Sequence, residues 1–525
     1  MRPSEGVAFW ALALLHLVPV WAFPYLPTQD GPAHLNNAQI LKEYGHSAAG
    51  YEAFFELRDE PLPNLTSHLL LAGLLYLFPP LVAEKVVVSL YVLGFAGSFR
   101  YFLGAFGPRC RPLSWGGLLL VYNRCFWMGF WNYCLSLILL WVILGYCLRR
   151  RGTLHLPHAL ALLPLFVAEY LTHLVGFLLA WAGAFAATLL VSPRRILPPI
   201  LIVLVGLSPA CLAMYYFART GFFQSRSAMS IVRDPLARLS GGKTSSDLGQ
   251  DLSAIDDELL AHHTGSAVPG GVALLAYLGM LTVLTVVDSL AAGRSSDWSG
   301  DEKDELDNRP TSLDPTPGPG RLFPAGFGLL LLGAYLLLPN HLGLEHGGFL
   351  KARLALLPPL LWLACLREPA LPEARLLVRG LTALLIAGNL FLVTDTVRIG
   401  NREVEQYTAG VEAVGRGHRL FVIQSNPKAT PLVNPLLHAA DYYCLGTENV
   451  NLDNYEAGTP HFPVTYRRGV TRGRDHWAAY PQQDVVDVVL CWQPSPNAKP
   501  GGPAGWDEIV AEGPLRIYRR PPGRQ

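Results

Sequence analysis

Charge is what this sequence has least of. Asp, Glu, Lys and Arg make up 15% of its 525 residues, against 51% hydrophobic residues, whereas a soluble globular protein carries roughly 25% charged residues. With a mean hydropathy of +0.28, much of the surface must face lipid. The net charge is only +1, so there is no basic field to recruit nucleic acid, and that class of partner is excluded. A cysteine framework is missing too. Cys110, Cys125, Cys134, Cys147, Cys211 and Cys365 lie in or beside apolar stretches, where Cys behaves as a small hydrophobe. Only Cys444 and Cys491 fall in the polar C-terminal part, leaving a disulfide between them or two thiols as open alternatives. No repeat is visible at solenoid periods. No small-x-small cleavage site follows the first apolar run, about Val7 to Leu26, so this run reads as an uncleaved anchor that ends at Pro24-Tyr25-Leu26-Pro27.

What is present is a series of apolar segments, each measured against the roughly 20 residues that span a bilayer. After the first they fall at about 66–79, 82–103, 113–127, 131–148, 156–170, 172–191, 197–217, 267–290, 323–339, 351–366 and 376–395, twelve candidates in all, some short enough to be re-entrant or lipid-surface helices. The fold class expected is a mostly α, polytopic helical bundle of 11–12 spans over residues 1–395, with a small α/β domain at 396–525. Short β-type runs mark that domain at Arg419–Ile423, Val485–Trp492 and Leu515–Arg519, with amphipathic pieces such as Glu403–Val414 between them. Lys and Arg in short loops set the orientation. Arg2, Arg149-Arg150-Arg151 and Arg194-Arg195 should be cytoplasmic. The loops 27–65, 218–266 and 340–350 and the domain 396–525 then become extracytoplasmic. The loop 291–322, rich in charge, Pro and Gly, becomes a disordered cytoplasmic linker. One conflict remains: if 66–79 and 82–103 both cross, Arg109 and Arg111 fall outside, against the rule.

The densest chemistry lies in Thr28-Gln29-Asp30-Gly31-Pro32-Ala33-His34-Leu35-Asn36-Asn37-Ala38, just after the first apolar run. Asp30 before Gly-Pro is a good helix N-cap, with Pro in the first turn. Asp30 and His34 are also one helical turn apart and can share a face. They can act as a general base, or as two ligands of a divalent ion. The residues alone leave capping and function both open. His68 and His173 each start an apolar segment on the same expected side. His341, His346, Lys351 and Arg353 stand at the outer end of a late segment. Arg suits phosphate through its planar, multi-donor fork, while snorkelling explains Lys351 as well. Glu84, Lys85 and Glu169 lie within or beside spans, and solvation at the membrane surface accounts for the first two.

The stretch Asp30-Gly31-Pro32-Ala33-His34-Leu35 after an apolar first helix resembles bacterial membrane proteins of the GT-C glycosyltransferase superfamily. Arg outnumbers Lys, and Ala, Leu, Gly and Pro are abundant, as in a GC-rich bacterial genome. The resemblance extends to Pro61-Leu62-Pro63-Asn64-Leu65 with His68, to Gly129-Phe130-Trp131-Asn132-Tyr133, to Tyr170-Leu171-Thr172-His173, and to the stretch from Pro339-Asn340-His341 through Arg353. It implies transfer of a sugar from a polyprenyl-phosphate donor at the extracytoplasmic face of the inner membrane. Asp30 would be the general base with His34 beside it. Arg353 would sit near the leaving phosphate, and His68, His173 and His341 around the substrate. A metal requirement is left open. A flippase or transporter of lipid-linked sugars would need polar residues at mid-bilayer and often internal repeats, which are scarce here. A non-catalytic scaffold with the same fold is the third alternative.

Overall fold

The protein is described by a computed structural model covering residues 3–150, 153–191, 194–219, 276–288, 322–338, 340, 348–424, 433–493 and 502–522. Five described helices are long and apolar enough to cross a membrane: Pro80–Phe106, Trp131–Arg149, Leu174–Val191, Leu197–Arg219 and Pro372–Val414. Glu5–Trp21, Leu156–Thr172, Ala276–Asp288 and Leu322–Leu337 are shorter apolar helices beside them. The expected loops 218–266 and 291–322 lie, save for their ends, outside the described residues. His341 and His346 lie outside them as well.

Several expected segments are not single unbroken spanning helices: the first breaks between Leu15 and Val18, and 156–170 between Leu160 and Leu163. The segment 66–79 is a nine-residue helix, Thr66–Leu74, which at 1.5 Å per residue reaches about 13 Å, less than half of a ~30 Å hydrocarbon core. The segment 113–127 is split into Ser114–Leu118 and Arg124–Trp127. The segment 351–366 is split into Leu350–Ala355 and Leu357–Cys365, with proline at the start of the second piece.

The short Thr66–Leu74 helix removes the conflict over the basic corner. The next helix, Pro80–Leu103, starts beside the first loop, where Lys85 Nζ donates to the Phe23 carbonyl at 2.5 Å. It ends at the opposite face, where Arg100 is clasped by both Glu5 oxygens at 3.0 and 2.6 Å. Arg109 there pairs with Asp288 and donates to the Glu368 carbonyl. Arg149 donates to the Tyr101 carbonyl and packs by Gly104 together with Arg111. Arg100, Arg109, Arg111 and Arg149 therefore share one end of the bundle, and Asp30 lies at the other.

At the Asp30 end the long helix Pro372–Thr408 leads into a five-stranded sheet. The strands, numbered along the chain, are β1 (Phe55–Leu57), β2 (Arg419–Gln424), β3 (Val450–Asn451), β4 (Val464–Tyr466), β5 (Val488–Trp492), β6 (Asp507–Glu512) and β7 (Leu515–Arg519). The order is β3-β2-β5-β7-β6, with β2 parallel to both β3 and β5 and the other pairs antiparallel. Side chains alternate across such strands. Leu420 and Val422 thus pack with Tyr407 and Tyr443 on one face, while Phe421 packs with Ile40 and Tyr51 on the other. Cys444 and Cys491 belong to these two different faces, and both are thiols. The three strands expected from sequence are β2, β5 and β7. The pair β1–β4, which ties the first loop to the C-terminal part in antiparallel register, carries no strand pattern readable beforehand.

Candidate active site between the first loop and the C-terminal sheet

The first loop folds as the helix Gly31–Glu43, whose residues 31–40 are all buried although most of its middle is polar. A buried polar helix must find partners for its side chains, and the C-terminal part supplies them. Asn36 Nδ2 donates to Asp441 Oδ1 at 2.7 Å, and Asn37 Nδ2 to Glu456 Oε2 at 2.8 Å. Asn454 Nδ2 donates back to Asn37 Oδ1 at 2.9 Å, and Gln39 Nε2 to the Cys444 carbonyl at 3.0 Å. This row of amides fixes how the C-terminal part sits on the membrane helices.

Asp30 occupies the N-cap position, but its side chain caps nothing. Its carboxylate instead accepts from Gln29 Nε2 at 3.2 Å and faces His438 Nε2 at 3.7 Å. His438 in turn stacks on Tyr455, with ring centroids 4.0 Å apart. Burial pushes the Asp30 carboxyl up to about 6, while the His34 charge and hydrogen bonds from Gln29 and Tyr455 pull it back. Burial also holds His438 well below the ordinary imidazole range, with Arg474 and Arg472 adding to the effect.

The stretch Gly129–Tyr133 is the floor of the site. Gln29 N donates to the Trp127 carbonyl and Asp30 N to the Met128 carbonyl. Gly129 has φ +76°, and a Cβ there would sit 2.8 Å from both Asp30 N and Gly31 N. Only glycine allows that approach. Asn132 joins the far side of the loop, accepting from Ser67 N at 2.8 Å and donating to the Asn64 carbonyl at 2.9 Å. Gly31 is similarly hemmed in: a Cβ would meet Thr28 Oγ1 at 2.3 Å and Glu84 Oε1 at 2.7 Å. Surface solvation does not account for Glu84. It is fully buried, and neither oxygen has a hydrogen bond, because one turn into its helix it points under Gly31 rather than to the surface. Glu169 is buried in the same way.

His34 and His68 meet at Glu456. His34 Nδ1 lies 2.5 Å from Glu456 Oε1, and His68 Nε2 lies 2.8 Å from Glu456 Oε2. All three side chains are at most 3% exposed, and they form a set of donor atoms able to hold a metal ion. Burial opposes ionisation of Glu456, but the His34 and His68 charges prevail and hold its carboxyl down at about 2. Burial likewise opposes protonation of His34, and Glu456 outweighs it, raising that imidazole.

Arg353 and His173 form a second group behind the floor. The Arg353 guanidinium lies over Phe130 at 4.9 Å and Tyr133 at 5.9 Å, and Tyr133 donates its hydroxyl proton to the Arg353 carbonyl at 2.6 Å. His173 packs edge-on against Tyr133, with centroids 5.2 Å apart. Phe130 and Gly129 thus stand between the Arg353 group and Asp30, whose charge reaches Arg353. The structure brings Asp30, His34 and His68 together and keeps Arg353 and His173 one layer away. Glu456, His438, Tyr455 and Asp441 escaped the reading of the sequence. For Tyr455 and Glu456 the one signal is the buried polar run Asn449-Val450-Asn451-Leu452-Asp453-Asn454-Tyr455-Glu456, dense in Asn and acids; His438 and Asp441 lie outside it.

No protein-family model and no curated protein matches the sequence. The structure, in contrast, is similar to the crystal structure of ArnT from Cupriavidus metallidurans bound to undecaprenyl phosphate. The TM-score is 0.50, over 100% of this chain and 99% of that one, at 12% identity. The chain has the GT-C fold. The likeness to ArnT extends over membrane helices and C-terminal sheet alike. At 12% identity it is a likeness of fold, so the chemistry has to be argued from this chain's own residues.

Proposed function

We propose that this protein is an inner-membrane glycosyltransferase of the GT-C type. It moves a sugar from a polyprenyl-phosphate donor to an acceptor on the face where the C-terminal sheet lies, and that face is extracytoplasmic. The observation that carries the reading is Asp30: a buried carboxylate at a helix start, released from capping and held by Gln29 and His438 at the seam between the two parts of the fold.

In the transfer the acceptor oxygen bonds to the anomeric carbon, and the bond from that carbon to the donor phosphate breaks. Asp30 takes the acceptor's proton, and polyprenyl phosphate leaves. A carboxyl pushed up to about 6 is still ionised at neutral pH and is a stronger base than an exposed aspartate. Arg353 supplies positive charge toward the leaving phosphate. Its guanidinium is kept over Phe130 and Tyr133, close behind Asp30. His34 has one ring nitrogen on the Gly129 carbonyl at 2.9 Å and the other on Glu456. It therefore supports Asp30 by fixing the glycine beneath it. His68 acts with His34 through Glu456, and His173 keeps Tyr133 against Arg353. The undecaprenyl phosphate bound to ArnT supports a polyprenyl phosphate as the donor lipid.

Asp30→Asn keeps the side-chain volume and removes the base. The expected result is loss of sugar transfer in a protein that still folds and purifies normally. Retained transfer by that variant refutes the role given to Asp30.

A further inference from the structure

We propose that His34, His68 and Glu456 form a binding site for a divalent transition-metal ion, zinc by its donor set, which clasps the C-terminal part to the membrane helices. This does not rest on the transferase reading.

The donor atoms converge from three separate elements: the helix Gly31–Glu43, the helix Thr66–Leu74 and the turn Glu456–Gly458. His34 Nδ1, His68 Nε2 and a Glu456 oxygen all lie within 4.8 Å of one another. Two imidazoles and one carboxylate suit zinc, with Zn–N and Zn–O bonds of about 2.0–2.2 Å and neighbouring donors roughly 3.3 Å apart. The present separations of 2.5 and 2.8 Å from the histidines to Glu456 need to open by less than about 1 Å to reach that spacing.

Three further features point to a ligand rather than to simple packing. His34 Nδ1 and Glu456 Oε1 are completely buried, face each other at 2.5 Å and have no other polar partner. A buried pair so confined leaves each atom only the other to satisfy it, which an ion between them would relieve. Each histidine also has its far nitrogen on a backbone carbonyl: His34 Nε2 on Gly129 at 2.9 Å, and His68 Nδ1 on Asn64 at 3.2 Å. That outer contact fixes the tautomer in which the inner nitrogen carries a lone pair, as ligating histidines require. Finally, Asn37 Nδ2 holds Glu456 Oε2 at 2.8 Å, and Phe462 packs on both imidazoles, at 5.9 and 5.4 Å between centroids. This is an oriented carboxylate inside an apolar wall. On loading, the ion takes the place of the two protons that His34 Nδ1 and His68 Nε2 hold toward the Glu456 carboxylate, and both protons leave to solvent.

The test uses the full-length, tag-free protein in detergent, stripped with chelator and then dialysed against Zn²⁺ or Co²⁺. Metal per chain is measured by mass spectrometry, the visible d–d absorption of Co²⁺ is recorded, and melting is followed with and without Zn²⁺. The wild type should hold about one ion per chain, show Co²⁺ bands of a site with nitrogen donors, and melt higher with zinc. His68→Gln and Glu456→Gln should lose all three signals. A wild type that retains only trace metal overturns the proposal and leaves a proton-filled His–Glu–His clasp. Undiminished metal in both variants overturns it too, because the ion then binds elsewhere. The wild-type measurements decide the matter even if a variant fails to fold, and none of them depends on sugar transfer.

Discussion

Gly129→Ala tests the architecture under Asp30 directly. Gly129 has φ +76°, a left-handed conformation that costs a residue with a Cβ on the order of 1–2 kcal/mol. The added methyl would also sit 2.8 Å from Asp30 N and from Gly31 N, and 3.2 Å from the Asp30 carbonyl carbon. These are backbone atoms at the start of a buried helix and cannot swing aside as a side-chain tip would. Relieving such overpacking adds roughly 1–3 kcal/mol. The two effects together predict a destabilisation of about 2–5 kcal/mol, with the start of the Gly31–Glu43 helix displaced. Asp30 moves with it, and a shift near 1 Å at a reacting group can cost as much as about 100-fold in rate. The measurements are thermal unfolding of the purified protein and the rate of sugar transfer from a polyprenyl-phosphate donor. The matched control is Gly73→Ala, since an added Cβ there meets nothing within 4 Å and its helical position predicts a neutral or slightly stabilising effect. If Gly129→Ala melts and turns over like the wild type, the contact between this floor and the first loop does not matter as argued.

The Asp30 carboxyl, pushed up by burial to about 6, must be ionised to act as a base, so transfer should fall as pH drops through about 6. A rate–pH profile whose acidic limb lies near 4 would show that an ordinary exposed carboxylate limits the reaction instead. Orientation is checked by labelling intact cells with a membrane-impermeant maleimide, in a background where the exposed Cys211 is changed to Ser. A cysteine introduced at Glu412, exposed at the end of the C-terminal helix, should react from outside. One introduced at Arg150, exposed at the opposite end, should react only after lysis. The reverse pattern would place the site in the cytoplasm.

Much of this protein is legible from sequence because its causes are local. Long apolar runs face lipid whatever they pack against, so the spanning helices read directly. The runs Arg419–Ile423 and Leu515–Arg519 are strands because their apolar, β-favouring residues suit a pleated core. Asp30 and His34 stand out because they sit one helical turn apart directly after a membrane segment, in a stretch that resembles the GT-C pattern. Whether the segment 66–79 crosses was open in the sequence. Its apolar composition allows a span, but its helix stops after nine residues, and composition does not count turns.

Tertiary structure alone decided what Asp30 and His34 meet. His68 and Glu456 are 388 positions apart, and Asn36 and Asp441 are 405 apart, so no periodicity links them. They are neighbours because a buried polar helix leaves amides and imidazoles that water cannot reach, and the C-terminal part carries the matching Asn, Asp and Glu side chains. Whether Asp30 caps its helix or keeps a free carboxylate was open in the sequence, since both readings suit a residue before Gly-Pro. The backbone settles it: Asp30 takes a helical φ of −99° and ψ of −9° and makes no side-chain cap, so its charge is turned toward Gln29 and His438.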